Sequence, residues 1–78
     1  MKFCEIFSDL REKSGIKKSE LAKKINVTPE YIINVENGTT RKPPTIARCH
    51  QIAKVLSLSR EETQKLVDAA MMERIKDG

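Results

Sequence analysis

Two short segments of helical spacing, residues 18–25 and 29–37, are separated in this chain by only Asn26, Val27 and Thr28. That closeness constrains the fold more than any other feature. Leu21, Ala22 and Ile25 form the apolar stripe of the first segment, and Ile32 and Val35 form that of the second. The chain must reverse sharply between them. Asn26 stands where a left-handed backbone is required, a conformation that Asn tolerates better than most residues. Thr28 is an N-cap, and Pro29 in the first helical position has its φ preset and no amide hydrogen to leave unbonded. Gly38 stops the second segment.

Three further helices flank this pair. Phe3, Ile6, Phe7 and Leu10 fall on one stripe of a helix over about Phe3–Lys13, which Gly15 ends. After a basic, proline-containing loop, Thr39–Pro44, a helix over about Thr45–Leu56 offers Ile46, Cys49, Ile52, Ala53 and Leu56. Ser59 and Glu62 have capping-box spacing and open a fifth helix over about residues 60–76. No stretch alternates as a strand would. Seventy-eight residues hold a single core, so residues 1–78 read as one all-α, five-helix domain. With one Tyr, two Phe and no Trp, that core is aliphatic.

The charge is unevenly placed. Residues 1–48 hold ten Lys and Arg against six Asp and Glu, while residues 49–78 hold five of each. The net charge of +4 thus lies in the part that contains the paired helices, which suits a polyanion such as nucleic acid, or equally an ordinary solvated surface. No apolar run approaches a membrane span, and the residues after Met1 do not read as a signal peptide. Cys4 and Cys49 lack zinc-ligand or CxxC spacing. The expectation is a cytoplasmic protein with reduced thiols packed as small apolar groups, no membrane partner, no metal and no cofactor. His50, bordering the apolar stripe of the fourth helix, is expected to be partly buried and structural. Ser8, Asp9 and His50 are scattered, no Gly-rich phosphate loop occurs, and Glu61 and Glu62 lie where a helix dipole explains them, so no enzyme is expected.

Two short helices joined by so few residues make a helix-turn-helix candidate over about residues 18–37, in which the first helix braces the second for entry into the major groove of double-stranded DNA. At about 100° per residue, Ile32 and Val35 face inward with Glu36 beside them. Glu30, Asn34 and Asn37 gather on the opposite side, flanked by Ile33 and Tyr31. An Asn there can pair with adenine, and an Ile can meet a thymine methyl.

The stretch LREKSGIKKSELAKKINVTPEYIINVENG resembles the phage-repressor and Cro family of helix-turn-helix regulators, which are lambda-repressor-like in fold. The likeness runs over about residues 6–58: Leu-Arg, a Gly shortly after, Leu-Ala, an apolar-x-Val-Thr turn, an apolar-x-x-apolar recognition helix, and Glu-x-Gly. It implies base reading by Glu30, Ile33 and Asn34, and phosphate contacts from Lys17, Lys18, Tyr31, Asn37, Arg41 and Lys42. Other roles stay open for three of these. Glu30 can accept from a cytosine amino group or simply favour the positive helix end; Ile33 can be partly packed; Tyr31 can cover the second helix. The resemblance also implies a buried salt bridge between Arg11 and Glu36.

The chain departs from the family pattern in several places. Asn26 replaces the turn Gly, Lys17 stands where Ser or Thr commonly caps, and Lys18 replaces a frequent Gln. Pro29 occupies a position that is often polar, and the loop TTRKPP is about two residues longer than is common.

The fifth helix carries more apolar surface than one stripe needs. Leu66, Ala69 and Ala70 lie on one side, with Val67, Met71, Met72 and Ile75 spread over another. Val67, Met71, Met72 and Ile75 are therefore expected at a dimer contact, the other reading being a helix absorbed wholly into the core. The expected function is transcriptional regulation, as a repressor acting as a homodimer on an inverted-repeat operator. The alternatives are the antitoxin of a toxin–antitoxin pair, with a toxin as protein partner, and a protein-interaction module that keeps the fold without binding DNA.

Overall fold

A computed structural model describes residues 2–40 and 43–77, with the side chains of 74–77 excepted. Five helices follow one another: α1 (Phe3–Ser14), α2 (Lys18–Lys24), α3 (Pro29–Asn37), α4 (Ile46–Leu56) and α5 (Arg60–Asp77). Each lies within a residue or two of its expected span. Thr45, expected as the first residue of α4, is instead its N-cap: its hydroxyl accepts from Arg48 N–H at 3.1 Å.

The starts of the helices follow from short-range chemistry. Thr28 Oγ1 accepts from Tyr31 N–H at 3.2 Å, and Pro29 opens α3. At α5 the capping box closes in both directions, Ser59 N–H donating to Glu62 Oε1 at 2.9 Å and Glu62 N–H to Ser59 Oγ at 3.1 Å. Lys2, before α1, provides no side-chain cap. Phe3 N–H instead donates to Glu73 Oε1, 3.2 Å away on α5.

The ends follow one scheme. Gly15, Asn26, Gly38 and Ser57, just past the first four helices, have φ of 76°, 60°, 72° and 55°. The residue after each turns its N–H back into the helix: Val27 to Ala22 O at 2.9 Å, Thr39 to Asn34 O at 3.0 Å, Leu58 to Ala53 O at 2.9 Å. After α1 the Ser14 hydroxyl relays this bond, accepting from Ile16 N–H at 3.4 Å and donating to Arg11 O at 2.6 Å. Asn26 is left-handed as its place in the turn requires. Ser57 is left-handed too, with nothing in its residue type to announce it.

Phe3, Ile6, Phe7 and Leu10 of α1 meet Leu21, Ala22, Ile32, Val35, Cys49, Ile52, Leu56 and Leu66 in one core. α2 packs on α3, α4 on α5, and α1 spans α3, α4 and α5. Three expectations change here. Val67 is buried in the core and offers no surface to a partner, because α5 turns Leu66, Val67, Ala69 and Ala70 together toward α1 and α4. His50 is exposed, since the buried face of α4 is set by Cys49, Ile52, Ala53 and Leu56 and the His lies beyond its edge. Cys49 is buried and Cys4 half-buried, with no disulfide between them; the Cys49 thiol donates to Pro44 O at 3.8 Å, so it does not pack purely as an apolar group.

Candidate nucleic-acid interface

α3 is held from behind and bare in front. Behind, Ile32 and Val35 are buried, and Glu36 anchors the helix to α1. Arg11 Nε donates to Glu36 Oε2 at 2.5 Å, with side-chain exposures of 11% and 7%. Arg11 Nη2 reaches Glu36 Oε1 at 3.4 Å, Ser8 Oγ donates to the same oxygen at 2.9 Å, and Arg11 Nη1 donates to Ile16 O at 2.8 Å. The expected bridge is present, and neighbours satisfy both ions, the condition under which a buried pair is tolerated.

In front, Glu30, Ile33, Asn34 and Asn37 are all exposed, and Ile33 leaves 40% of its surface open to solvent. Tyr31 is half-buried and packs against the core. Asn34 is not a loose side chain. Thr39 Oγ1 lies 3.3 Å from its Oδ1 and 3.2 Å from its carbonyl oxygen. Lys17 precedes the first turn of α2 and is exposed; Lys18 begins that turn and is half-buried. Among the described residues neither lysine is tied up in an ion pair, in contrast to Lys13, which reaches Asp9 at 3.2 Å. Arg41 and Lys42, two expected phosphate contacts, lie outside the described residues.

The turn between α2 and α3 has a brace that sequence reasoning missed. Arg48 Nη1 donates to Ile25 O at 2.8 Å, spanning from the first turn of α4 to the end of α2. A signal existed: a cation in a helix's first turn opposes the dipole there and calls for a dedicated acceptor. Gly38 likewise does more than stop α3. A Cβ at this position would come within 3.3 Å of Cys4 Sγ, so α1 and the end of α3 approach closely across it.

Among the described residues no cluster of His, Cys, Asp and Glu could hold a metal ion, and no helix is long and apolar enough to cross a membrane. The side of α3 that carries Glu30, Ile33, Asn34 and Asn37 is exposed, and an exposed helix side suits the groove of a polyanion. A family model described as helix-turn-helix, of the Cro/C1 type, matches residues 8–62, most of the chain. The chain belongs to the Cro/C1-type helix-turn-helix family. No curated protein and no solved structure matches it. Membership makes the protein a DNA-binding helix-turn-helix regulator with the lambda-repressor-like fold. The family match ends at residue 62, in the first turn of α5.

Proposed function

We propose that this helix-turn-helix protein is a transcriptional repressor that occupies an inverted-repeat operator as a homodimer. The observation that carries the reading is the bare side of α3, where Glu30, Ile33 and Asn34 are exposed together. Asn34 reads a base edge in the major groove, Ile33 meets a thymine methyl, and Glu30 accepts from a cytosine amino group. Lys17, Lys18 and Asn37 contact phosphates and fix the register. Repression then needs no more than occupancy, since a domain seated in the groove blocks whatever else would bind there.

Size supports a contact between two copies. Half-sites one helical turn apart put recognition helices ~34 Å from one another, and the longest extent of the domain is 31 Å. Two such domains meet only at their margins, so the contact falls to protruding apolar residues. Met71 and Met72, 43% and 68% exposed, are such residues on α5. Ile75, expected beside them, has its side chain outside the described residues. Selection of duplexes from a random double-stranded library, followed by sedimentation of the complex, tests the reading. Enrichment of an inverted repeat bound by two chains is the expected result. Failure to enrich any sequence at low salt would overturn it.

A further inference from the structure

Thr39 breaks a pattern that the other helix ends keep. Ile16, Val27 and Leu58 stand in the same place after α1, α2 and α4, are apolar, and pack against the core; such a contact commonly accompanies this kind of helix end. Thr39, the counterpart after α3, is exposed and turns its hydroxyl toward Asn34. The Asn34 carbonyl already accepts from Thr39 N–H at 3.0 Å. The apolar place has been given up for a hydroxyl at the one helix end that adjoins the bare side of α3.

We propose that Thr39 is a positioning residue for base recognition, its hydroxyl, 3.3 Å from Oδ1, holding the carboxamide of Asn34 in one rotamer at the edge of the bare side of α3. This inference rests on the DNA-reading role of α3 given above. An amide offers donors on Nδ2 and acceptor lone pairs on Oδ1. Adenine shows an acceptor, N7, beside a donor, the N6 amino group. A carboxamide free to swing between rotamers must be ordered at the moment of binding. A side chain already held by Thr39 avoids part of that cost.

The test uses the full chain and the duplex it selects from a random library, with a panel of duplexes altered at each base pair of one half-site. Asn34→Ala should flatten the preference at a single base pair. Thr39→Val, similar in shape but lacking the hydroxyl, should weaken the preference at that same base pair roughly 3- to 10-fold. Its preferences elsewhere and its salt dependence should stay as in the wild type. Thr39→Ser should restore the preference, and thermal melts of both Thr39 variants should match the wild type. Uniform weakening by Thr39→Val at every base pair would make Thr39 a plain structural residue and overturn the inference. So would an unchanged preference in Thr39→Val where Asn34→Ala loses it, and the reading of α3 would then survive. If Asn34→Ala kept every preference, that reading would fail and the inference with it.

Discussion

Arg48 donates from its guanidinium to the carbonyl oxygen of Ile25 at 2.8 Å, so the first turn of α4 holds the last turn of α2 across 23 positions of sequence. A backbone oxygen at a helix end needs a partner, and here a side chain from another helix supplies it. Arg48→Met keeps much of the stem's packing and removes the donor. It should cost about 1–2 kcal/mol in a urea melt. A melt indistinguishable from wild type would mean that water replaces the guanidinium without loss.

Glu36 has a harsher dependence. Its removal strands the Arg11 guanidinium, which is 11% exposed, and takes away the acceptor of the Ser8 hydroxyl. Glu36→Ala should destabilise the fold by roughly 3–5 kcal/mol. Changing Arg11 and Glu36 together to Met and Leu should recover part of that loss, since no charge is then left unpaired. Urea melts of the three variants check this, and a Glu36→Ala loss below about 0.5 kcal/mol would contradict it.

Ser57 and Gly38 share a backbone conformation but not a residue type, and so predict opposite effects. Ser57 is left-handed at φ 55°. Ser57→Gly should therefore raise stability by about 0.5–1 kcal/mol. At Gly38, φ 72° combines with a prospective Cβ 3.3 Å from Cys4 Sγ. Gly38→Ala should lower stability by at least about 1 kcal/mol. Thermal melts of the two variants should move in opposite directions.

On DNA, Asn34 and Lys18 should fail differently. Asn34→Ala should cost roughly 1–3 kcal/mol on the selected operator and relax choice at one position per half-site. Lys18→Ala should weaken operator and scrambled duplex alike, and make the salt slope shallower by about one unit for each phosphate left without its cation. Titrations at several salt concentrations separate the two behaviours. An Asn34→Ala protein that still preferred operator to scrambled DNA would remove Asn34 from the reading set.

For the contact between copies, Met71→Glu with Met72→Glu should yield a folded monomer that binds the operator more weakly. Sedimentation of the wild type supplies the control. A wild type already monomeric at high concentration without DNA would leave that contact without a basis.

The helices were legible because each one's signals agree: the stripe of α1, the Thr28–Pro29 start of α3, the reciprocal Ser59–Glu62 cap. The Arg11–Glu36 bridge was legible through the family pattern, which fixes both positions. Contacts that rest on tertiary geometry alone were not. Nothing local marks Glu73 as the partner of Phe3 N–H, which lies 70 positions away, and the residue type of Ser57 does not mark it as left-handed. Val67 shows the same limit from the other side. Periodicity placed it near Met71, but its exposure depended on how α5 rolls against α1 and α4.

The hydrogen bond from Phe3 N–H to Glu73 bears on how the molecule is made. Synthesis runs from the N-terminus, so α1 leaves the ribosome with its first turn uncapped and its apolar stripe unopposed by α5. Its cap arrives only with that last helix. Local pairs such as α2 and α3 can form as they emerge, whereas the closing step joins parts 70 residues apart, a separation of the kind that slows folding. A nascent chain stalled before residue 73 therefore carries the helix-turn-helix pair on a scaffold that has not yet shut.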